Sequence, residues 1–313
     1  MSFKYYPYSE HICHHVYNKG GCTFCAFHTM KNCVSPIPVS ISEQISHFDE
    51  FVNKKENRED IFKKKKILVE TNGSWFVEVP KEVRDHIYRF VELHNLELHT
   101  QCRATLMNKT KTQKALEIMF RAQHKSDYKE LAKMRAEEIF FAMDTEFKPY
   151  IVMFTGLEVA NNDDLKIIHK ECTLNDFIRF SKFVRSHGAR VGANVLIGPP
   201  LVEDPVRKAL ETAQFALDTL EVYEVAFCAC IPRLGAKSHN LWLKGIWNPV
   251  SPTECSEILR TTRKKYPERV VSLYSPRIHF FHGKYAKPNI KTEGQKIRAR
   301  RAVRKIAREV FSV

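Results

Sequence analysis

The chain has no long hydrophobic run. Nowhere does it approach the roughly 18 to 20 uncharged apolar residues that a membrane span requires, and Met1-Ser-Phe-Lys-Tyr-Tyr-Pro7 lacks the apolar core of a secretory signal. A soluble chain kept in the cytosol, with no membrane partner, is therefore expected. Internal repeats and low-complexity linkers are also missing, which excludes a solenoid or a tethered array. The nine cysteines are odd in number and follow no regular framework. That excludes a disulfide scaffold and fits thiols held reduced inside a cell. Acidic residues are in short supply, 36 against 50 Lys and Arg, for a formal charge of +14. Such a balance points to a polyanionic partner more than to an acidic small molecule.

The base is concentrated at one end. From Lys284 to Arg308 there are ten Lys or Arg and a single acid, Glu293. Arg298, Arg300, Arg301, Arg304, Lys305 and Arg308 fall on an expected terminal helix whose Ile297, Val303, Ile306 and Val310 give it an apolar docking side. A run this one-sided repels itself unless something anionic covers it, and nucleic acid is the expected cover. A solvated helix face is the plainer alternative.

Three cysteines crowd the run Cys13-His-His-Val-Tyr-Asn-Lys-Gly-Gly-Cys22-Thr-Phe-Cys25. Three thiolates on one loop can hold three irons of a four-iron cluster and leave the fourth open to a substrate or cofactor. The same residues admit two other readings. With His11, His14, His15 or His28 they could close a tetrahedral zinc site, and buried cysteines can be no more than small hydrophobes. Of the remaining six, only Cys228 and Cys230 stand close together. Strand alternation puts these two on one face, where burial or a second cluster would explain them.

Short apolar runs alternate with amphipathic helical patterns. The strands expected are one near Tyr5 to His11, then Ile67 to Glu70, Leu96 to Thr100, Ile151 to Thr155, Arg190 to Ile197 and Val222 to Cys230. A helix starts at Pro80, carries Val83, Ile87, Phe90 and Val91 at helical spacing, and closes near Asn95. Thr173 with Asp176 and Ser251-Pro-Thr-Glu254 read as capping boxes, the second with proline at the first helical position. Gly188 ends the helix that Thr173 opens. Strand, helix, strand in repetition means a parallel sheet, and right-handed crossovers curl it toward a barrel. The fold class expected is α/β, an open or closed barrel over residues 1–232 with its loops on the carboxyl rim, a geometry like the partial (β/α)6 barrel of the family that the motifs resemble. Residues 111–145 form a long helical stretch, too long for one crossover helix and therefore either two helices or an insertion packing on the barrel. A basic C-terminal portion, 233–313, follows a boundary near Ile231 to Gly235.

The cysteine loop with Phe24 before its last thiol, together with the strand-end segments, resembles the radical S-adenosylmethionine superfamily in its form with a long first gap. Those segments are Glu70-Thr-Asn-Gly-Ser74, Gly156-Leu-Glu158 and Asn194-Val-Leu-Ile-Gly198-Pro-Pro200. The resemblance implies a [4Fe-4S] cluster on Cys13, Cys22 and Cys25, its open iron chelated by S-adenosylmethionine. It also implies an external electron donor and a 5'-deoxyadenosyl radical. Phe24 would lie against the adenine, with Asn72, Gly73 and Ser74 near the methionine amino group. Glu158 would lie near the ribose hydroxyls, and Asn194 and Gly198 on the adenine-contacting strand.

Gly20-Gly-Cys-Thr-Phe-Cys25, Thr71-Asn-Gly-Ser-Trp-Phe-Val-Glu-Val-Pro80 and Gly156 through Pro200 are similar to the archaeal radical enzymes of archaeosine formation, relatives of the elongator type. There a lysine-transferase partner attaches lysine to a 7-cyano-7-deazaguanine base of tRNA. The radical enzyme, a lyase, then cleaves a carbon–nitrogen bond of the adduct. The insertion and the altered His99-Thr-Gln-Cys-Arg-Ala-Thr105 depart from that pattern. They keep open another radical modification of nucleic acid, a modified DNA base or methylthiolation, beside a zinc-stabilised RNA-binding protein without catalysis. Gln101 and Arg103 either face the substrate or are accounted for by burial or ion pairing.

Replacing Arg300, Arg301 and Arg304 together by alanine is expected to weaken RNA binding and flatten its salt dependence, as each lost phosphate contact removes about 0.7 to 0.9 from the log–log salt slope. Filter binding across a salt series reads both quantities.

Overall fold

A computed structural model of the protein describes residues 2–4, 22–24, 40–71, 74–122, 125–232 and 236–274. Seven strands form one sheet in strict chain order, every neighbouring pair parallel. They are β1 (Ser2–Lys4), β2 (Lys66–Glu70), β3 (Glu97–Gln101), β4 (Ile151–Glu158), β5 (Arg190–Ile197), β6 (Glu224–Ala229) and β7 (Val270–Tyr274). A parallel neighbour is reached only by a crossover on one face of the sheet, and that crossover is right-handed. Repeated without reversal, it curls the sheet into a partial (β/α) barrel. Among the described residues β1 and β7 do not pair, so the barrel stays open.

The helices lie in chain order as α1 (Ile41–Asn53), α2 (Lys55–Lys64), α3 (Trp75–Glu78), α4 (Lys81–Leu93), α5 (Lys109–Ala122), α6 (Tyr128–Thr145), α7 (Asn162–Ile167), α8 (Leu174–Ser186), α9 (Pro205–Asp218), α10 (Lys237–Leu243) and α11 (Pro252–Lys265). Their starts follow local chemistry. Ser40 with Glu43, Thr173 with Asp176 and Ser251 with Glu254 each form a full capping box, and Pro252 takes the first turn of α11. Several of the ends use left-handed residues, among them Asn95 at φ 50° beyond α4 and Gly188 at φ 79° beyond α8. None of the described helices is long and apolar enough to cross a membrane.

Several expectations shift. The first strand is Ser2–Lys4, before the segment Tyr5 to His11, which lies outside the described residues. Strand β4 runs three residues further than its apolar run, through Glu158. The seventh strand is absent from the sequence reading altogether: five residues behind the basic Arg263-Lys264-Lys265 give too short a pattern, yet β7 pairs with Glu224–Cys228. With it α11 packs on α9, so the sheet and its helix layer both continue past residue 232. The long segment 111–145 is two helices, α5 and α6, packed on each other within the β3–β4 crossover.

The buried pair Arg84–Glu146 secures the foot of α6. The guanidinium donates twice to the carboxylate, at 2.7 Å from Nε and 2.6 Å from Nη2, and once to the Val79 carbonyl at 2.6 Å. Such fork geometry offsets the cost of taking both charges out of water.

The two faces of the sheet differ. Ile67, Leu98, Ile151, Met153, Val191, Val225 and Phe227 belong to the main core with the helices. On the inner face Val152, Phe154 and Ala226 make a small separate cluster, and Gly192 leaves room for Phe154, whose ring would lie 2.6 Å from a β-carbon there. Below them lies a polar floor. Glu97 accepts from Arg190 at 2.9 Å, hydrogen-bonds His99 Nε2 at 2.9 Å and accepts from Tyr223 at 3.5 Å. The Arg190 guanidinium lies 4.3 Å from the Tyr223 ring centre, and Ser272 donates to Glu224 at 2.7 Å.

The hydrogen bond from His99, with help from Arg190 and against burial, brings the Glu97 carboxyl down from 4.5 to about 2. A depressed carboxyl stabilises the fold in full above its unfolded value and loses that share as pH falls through the folded one. Urea unfolding of the chain is therefore expected to weaken between pH 4.5 and 2, and Glu97→Gln to lack that part of the decline.

Candidate functional site

Parallel strands send all their carboxyl ends to one rim, and at the end of β4 the backbone is bent for a purpose. The β4–β5 register shifts between Gly156 and Glu158, and Glu158 takes φ 65°. A carbon on Gly156 would crowd Glu158 Oε1 and Lys170 Nζ, the ends of two long side chains that would have to shift to admit it. The carboxylate of Glu158 folds back over that glycine to accept from Lys170 at 2.8 Å. Lys170 arrives from the far end of α7, a helix capped by the Asn161 side chain and closed by His169 at φ 58°. Its own N–H donates to Leu165 at 2.8 Å.

The cysteine loop joins this pair. The N–H of Thr23 donates to the Ile168 carbonyl at 3.1 Å, and the Thr23 carbonyl accepts from Ser238 at 2.9 Å. Main chain alone thus ties the loop to the α7 end on one side and to α10 on the other. Phe24 presents its ring 6.0 Å from the Lys170 ammonium, a cation–π distance. Beside the lysine opens a small cleft whose lining includes Cys22, Arg103, Thr105, Gly156, Lys170, Glu171 and Cys172.

Electrostatics follow from this crowding. Burial works against the charge of Lys170, yet the Glu158 carboxylate and the neighbouring Cys22 and Cys172 outweigh it and hold the ammonium above its usual range. Burial pushes the Cys172 thiol up, with Lys170 and Arg103 opposing. The cleft thus carries two cations, Lys170 and Arg103, the Glu171 carboxylate and two thiols, with Lys170 already paired to Glu158.

Of the residues the sequence singles out, Cys22, Phe24 and Glu158 meet around Lys170. Ser74 lies elsewhere: it is buried, its hydroxyl is 3.3 Å from Cys102 Sγ, and its N–H donates to Glu78 at 2.9 Å. Burial pushes that Cys102 thiol up to about 12. Asn194 stands on the inner face in register with Gly156 and Ala226. Gly198, at φ 70°, accepts from Trp247 Nε1 at 3.1 Å and presses against Val250. Arg103 lines the cleft, and Gln101 is half-buried at the end of β3. Cys230 is buried and Cys228 half-buried at the end of β6. Cys13, Cys25, Asn72, Gly73 and the basic set Arg298, Arg300, Arg301, Arg304, Lys305 and Arg308 lie outside the described residues. Among the described residues no group of three or more His, Cys, Asp or Glu is placed to hold a metal ion. Lys170 and Cys172 were not foreseen. Lys166-Ile-Ile-His-Lys170-Glu-Cys172 carries no motif, and the one available signal was its place directly after a strand-end loop.

No family model matches the sequence, and no curated protein matches it. Solved structures similar in chain course include an N-terminally deleted Elp3 from the archaeon Methanocaldococcus infernus. It shows 14% identity and a TM-score of 0.47, over 75% of this chain and 54% of that one. Methylornithine synthase (PylB) shows 13% and 0.48, over 80% and 59%. Queuine lyase from Clostridium spiroforme, bound to SAM and queuine, shows 14% and 0.46, over 90% and 91%. The chain spans little more than half the length of the first two.

Gly156→Ala is expected to drive Glu158 and Lys170 apart and to cost about 1–3 kcal/mol, the usual range for an overpacked site. Denaturant unfolding measures it, with Gly188→Ala, which meets nothing within 4 Å, as the control for backbone strain alone.

Proposed function

We propose that this chain is a cytosolic radical S-adenosylmethionine enzyme acting on a nucleic-acid base, and that its substrate is the lysine adduct of a tRNA deazaguanine. The observation that carries the reading is the gathering of Cys22, Phe24 and Glu158 at Lys170 beyond the carboxyl end of β4, with Glu158 in an ion pair to the lysine, the Phe24 ring 6.0 Å from its ammonium and Cys22 on the same cleft wall. Three residues chosen from separate stretches of sequence for one cofactor fall within reach of a single lysine.

The donor chemistry fits the cofactors. A thiol beside a cleft with two cations, Lys170 and Arg103, suits a cluster of net negative charge and the carboxylate of a methionine moiety. Cys13, Cys22 and Cys25 would hold the [4Fe-4S] cluster. Phe24, Asn72, Gly73, Glu158 and Asn194 would line the S-adenosylmethionine, whereas Ser74 and Gly198 are engaged within the protein, by Cys102 and Glu78 and by Trp247. Bound together, and fed one electron from an external donor, these groups supply a radical able to abstract hydrogen from an unactivated carbon.

The protein's own part is placement. Thr23 fixes the loop by backbone hydrogen bonds, Lys170 orients the Glu158 carboxylate, and Phe24 covers the ammonium with an apolar face. Arg298, Arg300, Arg301, Arg304, Lys305 and Arg308 would grip phosphates and hold the RNA at the rim. On this reading the reaction is a carbon–nitrogen cleavage, a lyase step that follows a separate lysine-transferase partner.

The test begins with metal content of anaerobically purified protein, then dithionite and S-adenosylmethionine with detection of 5'-deoxyadenosine. About four irons per chain, with cleavage lost in Cys22→Ala, is the expected result. One zinc per chain and no cleavage would overturn the reading in favour of a metal-stabilised RNA-binding protein.

A further inference from the structure

The starts of α5 and α8 meet beside the cleft. Thr105, in the short turn Ala104–Met107, and Cys172 both line it, and the Thr105 backbone hydrogen-bonds the Cys172 thiol. From there α5 opens at Lys109 and α8 at Leu174. Asp176 sits at this joint, its side chain only 1% exposed. Besides closing the capping box with Thr173, its carboxylate accepts from Arg179 at 2.8 Å and from Lys111 at 3.5 Å. Both cations stay about half exposed, 58% and 49%.

The two helices carry the charge onward. Lys114 follows Lys111 by three residues and Lys182 follows Arg179 by three, the spacing that sets neighbours about 5–6 Å apart on one helix face. Lys114 and Lys182 are exposed, and among the described residues neither has an acidic partner. The acids close by in sequence are turned elsewhere: Glu117 accepts from Gln113 at 3.1 Å, and Glu171 lines the cleft. Four cations therefore stand over one buried carboxylate. A small anion needs one or two such groups, whereas a row across two helices matches a polymer that carries a charge on every unit.

We propose that Lys111, Lys114, Arg179 and Lys182 form a ledge that binds the phosphate backbone of an RNA beside the cleft. The inference rests on the nucleic-acid partner of the reading above and adds to it a grip on the barrel itself, separate from the C-terminal arginines. Asp176 is the pin of the ledge: held by the capping box, it places the two inner cations before any RNA arrives. Phosphate contacts fix register without reading sequence, so the ledge decides which nucleotide faces the cleft.

Filter binding of an unmodified tRNA transcript to the full chain, across a salt series, tests the ledge. Lys114→Ala/Lys182→Ala leaves both Asp176 contacts intact. It is expected to bind at least about tenfold more weakly near 0.1 M salt, with a log–log slope smaller by about 1.4 to 1.8 for two lost contacts. Adding Lys111→Gln and Arg179→Gln, which keep a donor for Asp176, should lower both quantities further. Lys63→Ala/Lys64→Ala removes the same charge from the end of α2, just before β2 and so at the opposite end of the sheet. That control should change binding little. Unchanged affinity and slope in both ledge variants, or an equal loss in the control, overturns the ledge and leaves the nucleic-acid reading standing. Failure of the unsubstituted protein to bind the transcript overturns both.

Discussion

Everything on the rim depends on one constraint: each strand pairs in parallel with the strand next to it in sequence. Parallel pairing forces a crossover between every two strands, and handedness sends each crossover to the same side. The carboxyl ends of all seven strands therefore face one way. Residues more than a hundred positions apart, such as Cys22 and Lys170, can then line one cleft although nothing in the sequence links them. The same constraint separates the two sheet faces. Aliphatic side chains on the helix side hold the fold, while the inner side keeps polar groups that would be too costly in a sealed core unless paired.

The charged groups of that inner face are arranged at two levels. At the floor, Glu97, His99, Arg190 and Tyr223 satisfy one another across three strands. At the rim, Glu158 and Lys170 pair beside the cleft. Between them Phe154, Val152 and Ala226 form an apolar belt. The floor therefore closes the barrel from below as a matter of stability. Chemistry is confined to the end where the backbone itself departs from regular strand, at Gly156 and Glu158.

Much of the scaffold was legible because its signals are local. A capping box needs four residues, so Thr173 with Asp176 and Ser251 with Glu254 could be read off directly, and the glycine at 188 closed its helix as its spacing implied. Of the five internal strands Arg190–Ile197 was found with both ends correct, and the other four with an end in error by one to three residues. An apolar run shows where burial lies, whereas a strand ends where its hydrogen bonds stop. Strand β7 was missed for the same reason: Val270–Tyr274 gains its place from pairing with β6, a partner that leaves no mark in five residues. At the site the sequence offered Cys22, Phe24 and Glu158 through their motifs. Lys170 and Cys172 carried none, because their importance comes from where a left-handed turn at His169 delivers them.

The double attachment of Thr23 bears on how this loop could change over time. Both bonds use peptide groups, one given to Ile168 and one taken from Ser238. All three side chains are buried, so a replacement must match them in size, but the joint itself asks for no particular side chain. Only an imino acid at 23 or 238 would remove a donor. The loop's placement is thus inherited as backbone shape rather than as spelling, which leaves drift in the neighbouring residues free to alter the cleft without loosening its anchor.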